Sequence, residues 1–234
     1  RIEWSAPDRA KYGDYKSARR AQHPNTRHEE YLTKLMIAAD GKARILAGQP
    51  LEPGDVKVTQ NYYSGESPEL VLFFPDDAGL ALWNSYPAKY WYAWGEQIQQ
   101  VRAILARHGE VAMPGLLAYM QSRVEEGLTI AKGIDSASIV PVALHGLRNL
   151  KKAKSIAGDW LRAHPATAFT AALPMAFGKN KTARDDAQFG LRWLVSQGTE
   201  AQAREAAAAY GEPMQRALQA LLDADPLLVL PSRM

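Results

Sequence analysis

Apolar residues recur with the period of an α-helix along most of this chain. Between residues 32 and 46 they fall every three or four positions, which places them on one helical face. Gly48 and Pro50 are typical of a helix end. After Pro75, two aspartates suit a helix start, because acidic side chains are favoured near the amino end. The same spacing predicts further helices over residues 88–108, 110–126, 136–149, 151–163, 166–176, 182–197, 200–209 and 212–224.

Two stretches depart from this pattern. Residues 1–27 have no clear period and contain Pro24. We interpret them as an arm or linker that precedes a single helical domain over residues 28–234. Further along, two short apolar runs at residues 56–59 and 70–74 lie among turn residues. They predict a small β insert near residues 56–74.

The helical region contains an internal repeat. The strings DWLRAHPATA at residues 159–168 and RWLVSQGTEA at residues 192–201 align at an offset of 33. Their Trp-Leu pairs match, and so do the helix breakers Pro165 and Gly198. Residues 103–112 form a weaker third copy.

This repeat indicates stacked helical hairpins. A single hairpin cannot bury its apolar stripe alone, whereas stacked hairpins bury it against their neighbours. We therefore predict a mainly α fold, an irregular α-solenoid of HEAT-like helical hairpins best defined over residues 100–225. A compact helical bundle is the alternative.

Composition narrows the chemistry. Hydrophobic residues make up 47% of the 234-residue chain and charged residues 23%, which is typical of a globular protein with a sizeable core. The chain has no cysteine, which excludes a disulfide framework, a thiolate metal site and a cysteine nucleophile. No apolar run reaches the length of a membrane span. The chain opens with Arg1 and lacks a signal segment, so we expect a piece cut from a longer protein or a processed chain.

Positive charge is concentrated in one segment. Residues 145–184 hold eight Lys/Arg against Asp159 alone, whereas residues 185–234 hold seven acids against four bases. Such a segment attracts nucleic acid or another polyanion. The alternative is a solvated face that the acidic neighbour balances. The residues proposed for anion or nucleic-acid contact are Arg148, Lys151, Lys152, Lys154, Lys179, Lys181 and Arg184.

The string LPMAFGKNKTARDDA at residues 173–187 contains a Gly-Lys pair with a hydroxyl residue nearby. A Walker-type phosphate loop needs a glycine five residues before Gly178, a Ser or Thr directly after Lys179, and a preceding strand. The chain has a leucine at the first position, and Thr182 comes three residues after the lysine. The segment before it reads as helix. We predict a corner between helices, with Gly178 near the end of one and Thr182 capping the next.

No other residues assemble into recognisable chemistry. His145 lies on a predicted helix without an identifiable partner, and the adjacent Asp185 and Asp186 are expected to face solvent. The aromatic cluster at residues 90–94 is a candidate stacking or sugar-binding platform, but aromatic side chains more often pack in a core. We therefore assign no catalytic, cofactor-binding or metal-binding residue, predict no cofactor, and expect a non-enzymatic protein.

The string AGDWLRAHPATAFTAALPMAFGKNKTARDDAQFGLRWLVSQG at residues 157–198 resembles the helical repeat region of large bacterial proteins related to the molybdate metabolism regulator. Those proteins often carry a WGR domain. The resemblance implies a HEAT-like segment within a larger cytoplasmic regulatory protein. It transfers no catalytic residue. The chain has no Trp-Gly-Arg string, so DNA binding through that domain is not implied.

The sequence leaves three functional hypotheses open. The first is a non-enzymatic interaction scaffold that contacts a protein partner or other domains of the parent chain. The second is nucleic-acid or polyanion binding through residues 145–184. The third is a small-molecule or oxyanion sensor with a pocket between helices.

Overall fold

The computed structural model describes residue 32 and residues 35–56, 67–91 and 97–224. This part of the chain is mainly helical and contains no strand, as the mainly α prediction requires. No helix in these ranges is long and apolar enough to cross a membrane. The chain divides into two compact units, the first ending at Ile134 and the second beginning at Asp135. The predicted arm at residues 1–27 lies outside the described residues.

The first unit combines five α-helices with short 3-10 segments among its described residues. The helices are α1 (Ala39–Leu46), α2 (Asp76–Ser85), α3 (Gln97–His108), α4 (Met113–Ser122) and α5 (Val124–Ile130). Trp83 on α2 lies in the core, with its ring centroid 6.2 Å from that of Trp91 and 6.4 Å from that of Tyr119. Its indole Nε1 donates a hydrogen bond of 2.8 Å to the Ala112 carbonyl. The unit is therefore organised around a buried aromatic cluster.

The predicted β insert is wrong as far as it is described. Residues 70–73 do not form a strand but belong to a 3-10 helix, Pro68–Phe73, and Phe74 follows that helix. Proline suits the first helical position, and the Ser67 hydroxyl accepts a hydrogen bond from the Glu69 amide at 3.3 Å. Val56 makes only an isolated antiparallel bridge with Ile37, and residues 57–66 lie outside the described residues.

Two predicted helices of this unit are shorter than the apolar spacing indicated. The helix predicted over residues 32–46 includes α1 but is interrupted before Ala39, because Ile37 is in the bridge to Val56. The helix predicted over residues 88–108 is also not continuous. A 3-10 turn ends at Tyr90, Trp91 is extended, and α3 begins at Gln97. Gly109 follows α3 with a φ of 67°, as expected of a glycine after a helix.

The second unit contains most of the predicted helices close to their expected positions. They are α6 (Val140–Asn149), α7 (Lys154–Ala163), α8 (Pro165–Ala176), α9 (Lys181–Leu194), α10 (Glu200–Ala209) and α11 (Glu212–Asp223). Helix α6 packs against α7 and α9, α8 packs against α9 and α10, and α11 packs against α10. The buried side chains include Trp160, Leu161, Phe169, Leu173, Leu191 and Leu194.

Each of the two strings that align at an offset of 33 contains a corner between helices. Trp160 precedes the corner from α7 to α8, where Pro165 is the first residue of α8. Trp193 precedes the corner from α9 to α10, where Gly198 has a φ of 88°. The two tryptophans differ in burial. Trp160 lies in the core, whereas Trp193 is half-buried beside α7, where a Cβ on Gly158 would lie 3.1 Å from its ring.

Candidate functional site

A buried carboxylate joins helices α6 and α9. Asp186 on α9 is only 4% exposed, and its Oδ1 accepts hydrogen bonds from Arg148 Nη1 at 2.9 Å and Asn149 Nδ2 at 2.8 Å. Its Oδ2 lies 3.0 Å from His145 Nδ1. The three partners share one face of α6, because they are spaced three and four residues apart. Asp186 therefore fixes the last turn of α6 against the first half of α9.

Asp186 is held in its charged form. Burial raises the pKa of its carboxyl group, but hydrogen bonds from Asn149, Arg148 and His145 lower it by more, so the pKa lies below its usual range. Its neighbour Asp185 also has a lowered pKa, chiefly because Lys181 donates a hydrogen bond to its carboxylate. Both carboxylates thus provide fixed negative charge between α6 and α9.

These contacts overturn two expectations. Asp186 was expected to face solvent with Asp185, and His145 was expected to have no identifiable partner. Adjacent helical residues do diverge, but here one carboxylate turns inward to α6 while the other stays half-buried. The signal in the sequence is the polar set at residues 145, 148 and 149, which share one face of α6, away from its buried leucines. Nothing in the sequence, however, indicates that α9 packs against that face.

The structure divides the seven predicted contact residues into two groups. Arg148, Lys181 and Arg184 contact the protein itself. Lys181 Nζ donates to Asp185 Oδ2 at 2.6 Å, and Arg148 Nη2 lies 4.0 Å from that same oxygen. Arg184 Nη1 donates to the Gly178 carbonyl at 3.2 Å. The other four are exposed and form no ion pair with a described carboxylate: Lys151, Lys152, Lys154 and Lys179.

These four lysines lie at one end of the second unit. Helices α6 and α9 run antiparallel, since Asp186 contacts Arg148 while Gly190, one turn later, faces Leu144. The carboxyl end of α6 therefore lies beside the amino end of α9. Lys151 and Lys152 lie in the turn after α6, Lys154 is the first residue of α7, and Lys179 comes just before α9. We call these four residues the lysine end.

The corner at residues 177–180 connects two helices, as predicted. Helix α8 ends at Ala176, and the Ala176 carbonyl accepts a hydrogen bond from Gln188 Nε2 at 2.9 Å. The predicted capping residue is wrong, because Asn180 rather than Thr182 caps α9. The Asn180 Oδ1 accepts from the Ala183 amide at 3.1 Å, and Thr182 lies within the helix. A helix precedes the Gly-Lys pair where a phosphate loop requires a strand.

Helix α8 carries no charged residue, yet part of it faces solvent. Its sequence is PATAFTAALPMA, and Phe169 and Leu173 lie in the core. The exposed positions recur every turn and form one stripe, which continues past the end of the helix. We call it the α8 stripe: Ala166, Thr170, Pro174 and Phe177. Helices of globular proteins normally carry polar or charged residues on such a face.

The side chain of Tyr210, the residue directly after α10, satisfies a backbone group within this stripe. Pro174 has no N–H, so the carbonyl four residues earlier, that of Thr170, has no helical donor. The Tyr210 hydroxyl donates a hydrogen bond of 2.8 Å to that carbonyl. Tyr210 is 45% exposed and Phe177 is 39% exposed, so two aromatic rings contribute to the surface of this uncharged region.

The other candidate features have structural roles where they are described. Trp91, from the proposed aromatic platform, is 1% exposed and packs beside Trp83 and Tyr86, while residues 92–96 lie outside the described residues. The ring of His164 packs 4.8 Å from that of Trp160 at the corner between α7 and α8. Among the described residues, no group of three or more His, Cys, Asp or Glu side chains could hold a metal ion.

Comparison of this chain with known proteins gives no match. No family model matches the chain. Neither the curated proteins nor the solved structures provide a match. The resemblance of residues 157–198 to the molybdate metabolism regulator-like proteins therefore stays a prediction.

Proposed function

We propose that this chain is a non-enzymatic helical scaffold that binds a protein partner, or another domain of its parent chain, through the α8 stripe. The observation that supports this proposal most directly is that α8 has no charged residue. It exposes Thr170 and Pro174 to solvent, and Phe177, directly after it, is also exposed. Contiguous exposed surface without charge is typical of protein interaction sites. A partner segment with apolar side chains would contact the stripe at little desolvation cost, because the stripe has no charge.

The packing of the second unit supports the finer description of the fold. Its helices form successive hairpins, α6–α7, α8–α9 and α10–α11, and the middle hairpin packs against both others. We propose that these hairpins are HEAT-like repeats of an irregular solenoid. Such repeats support extended binding surfaces built from a few equivalent helices. Helix α8 belongs to the middle hairpin, where both neighbours hold it in place.

The sequence resemblance extends this proposal. Residues 157–198 include all of α8 and α9, so the resemblance falls on the hairpin that carries the α8 stripe. We propose that the chain is part of a larger bacterial regulatory protein of the cytoplasm, as the resemblance implies. An oxyanion-sensing role has no observation in its favour among the described residues.

Site-specific photo-crosslinking tests the proposed role. A photoreactive amino acid at position 170 samples the α8 stripe, and the same amino acid at position 215 samples an exposed position on α11. We expect position 170 to yield one discrete crosslinked protein in cells, and position 215 not to yield it. The crosslink should disappear when Ala166→Glu places a charge on the stripe. The same pattern from both positions, or a crosslink that survives the charge, would reject the proposal.

A further inference from the structure

We propose that the lysine end is a binding site for the phosphate backbone of nucleic acid, without sequence selectivity. This inference goes beyond the scaffold role, because it uses a different surface of the second unit. It rests on which basic residues of the segment 145–184 make contacts within the protein and which are exposed to solvent.

The acids described on α9, α10 and α11 do not pair with the lysine end. Asp185 and Asp186 are the acids that contact the basic segment from α9, and they neutralise Arg148 and Lys181. Lys151, Lys152, Lys154 and Lys179 remain exposed beside this junction, with no described carboxylate in ion-pair distance. The alternative of a fully balanced face therefore accounts for only part of the charge.

The exposed cations of the lysine end are lysines rather than arginines, and this favours contact with backbone phosphates over contact with bases. Every arginine between residues 145 and 184 contacts the protein itself. Arg148 binds Asp186, Arg162 pairs with Asp159 and stacks over Trp193, and Arg184 binds the Gly178 carbonyl. A planar guanidinium fork is the usual reader of guanine edges, and each one in this segment already makes a contact within the protein. Exposed lysines are flexible point charges that suit phosphates at varied positions.

The backbone at the same end adds suitable donors. Helix α7 begins at Lys154, and its cap residue Ala153 supplies no side-chain hydrogen bond. The first N–H groups of α7 therefore lack a side-chain acceptor, and the helix dipole favours an anion there. These N–H groups lie directly beside three of the four lysines. A phosphate on the lysine end would thus meet both ammonium groups and backbone donors.

Fluorescence anisotropy with a short labelled duplex DNA of mixed sequence tests this site on the full 234-residue chain. Because each neutralised phosphate releases counterions, four contacts predict a log–log salt slope of about −3.6. Affinity should then fall on the order of 100-fold between about 50 and about 200 mM salt. A second duplex of unrelated sequence should bind equally well.

The matched variants remove four positive charges each. One carries Lys151→Gln, Lys152→Gln, Lys154→Gln and Lys179→Gln. Its control carries Lys42→Gln, Lys89→Gln, Lys132→Gln and Arg216→Gln, which leaves the same net charge. We expect the first variant to lose nearly all of the salt-dependent binding and the control to keep most of it. Circular dichroism should show both variants folded.

Four outcomes would overturn the inference. These are no binding at low salt, binding that does not respond to salt, equal losses in the two variants, and equal affinity for polyglutamate of matched charge. The last outcome would point instead to an acidic protein as partner. None of these outcomes bears on the α8 stripe, so the scaffold role and the lysine end fail or succeed separately.

Discussion

The Tyr210 hydroxyl on the second unit donates a hydrogen bond of 2.8 Å to the Thr170 carbonyl, the group that Pro174 leaves without a helical donor. This bond compensates for a proline inside α8 and fixes the end of α10 beside the α8 stripe. It also explains how a helix can keep a proline at an exposed position without losing its last turn. This hydrogen bond lies beside the α8 stripe, which has no charged side chain.

Tyr210→Phe should destabilise the protein by roughly 0.5–1 kcal/mol, the net value of one partly exposed hydrogen bond. Pro174→Ala restores an N–H that can reach the Thr170 carbonyl, so Tyr210→Phe should cost much less in that background. Urea unfolding of the four proteins in this double-mutant cycle measures the coupling. Equal costs in the two backgrounds would mean that Tyr210 does not compensate for the proline.

Asp186→Ala should destabilise the protein by about 3 kcal/mol, because it removes a buried carboxylate and leaves Arg148 without its main partner. Asp185→Ala is the matched control on the next residue. Its carboxylate is more exposed, so we expect a loss of at most about 1 kcal/mol. Thermal and urea unfolding measure both losses. Similar losses would argue against a special role for the inward-facing acid.

The stability that Asp186 provides should depend on pH. Its pKa is lower in the folded chain than its ordinary value of 3.8, so the unfolded chain binds the proton more readily. The stabilisation is therefore fully present above that value and declines as the pH falls towards the lower pKa of the folded chain. His145, Arg148, Asn149 and Asp185 surround the group.

Comparison with Asp186→Asn isolates this effect from other carboxyl groups. We expect the difference in unfolding free energy between the wild type and the variant to shrink as the pH falls below about 5. Urea titrations across this range give the difference directly. A difference that stays constant down to about pH 2 would show that the folded and unfolded pKa values do not differ.

Gly115→Ala should destabilise the first unit by about 2 kcal/mol, because its new Cβ would overlap the indole of Trp83. This indole is buried and its Nε1 is bonded to the Ala112 carbonyl, so it cannot move away freely. Alanine normally stabilises a helix interior relative to glycine by about 1 kcal/mol. The sign of the change in a urea unfolding experiment thus tests the close approach. A stabilising substitution would contradict it.

Much of the second unit could be predicted from the sequence, because its apolar residues recur with a helical period and its breakers are strong. Pro165 and Gly198 both mark the corners that the structure contains. The first unit was harder to predict. A short apolar run such as residues 70–74 fits a strand or a 3-10 helix equally well, and a bridge such as Ile37–Val56 depends on residues far apart in sequence.

The candidate sites were likewise only partly predictable from the sequence. The basic residues are visible in the sequence, but their separation into engaged arginines and exposed lysines depends on which helix faces which. Asp186 is the clearest example. Its burial requires α9 to pack against the polar side of α6, and no local pattern specifies that pairing.

The most direct test of the scaffold role is hydrogen–deuterium exchange of the full chain, alone and with the protein identified by crosslinking from position 170. We predict slower exchange in α8 and at the end of α10, next to Tyr210, with little change in α11. The Ala166→Glu variant should show no such protection. Protection confined to other helices, with the exchange of α8 unchanged, would contradict the proposed binding of a partner to the α8 stripe.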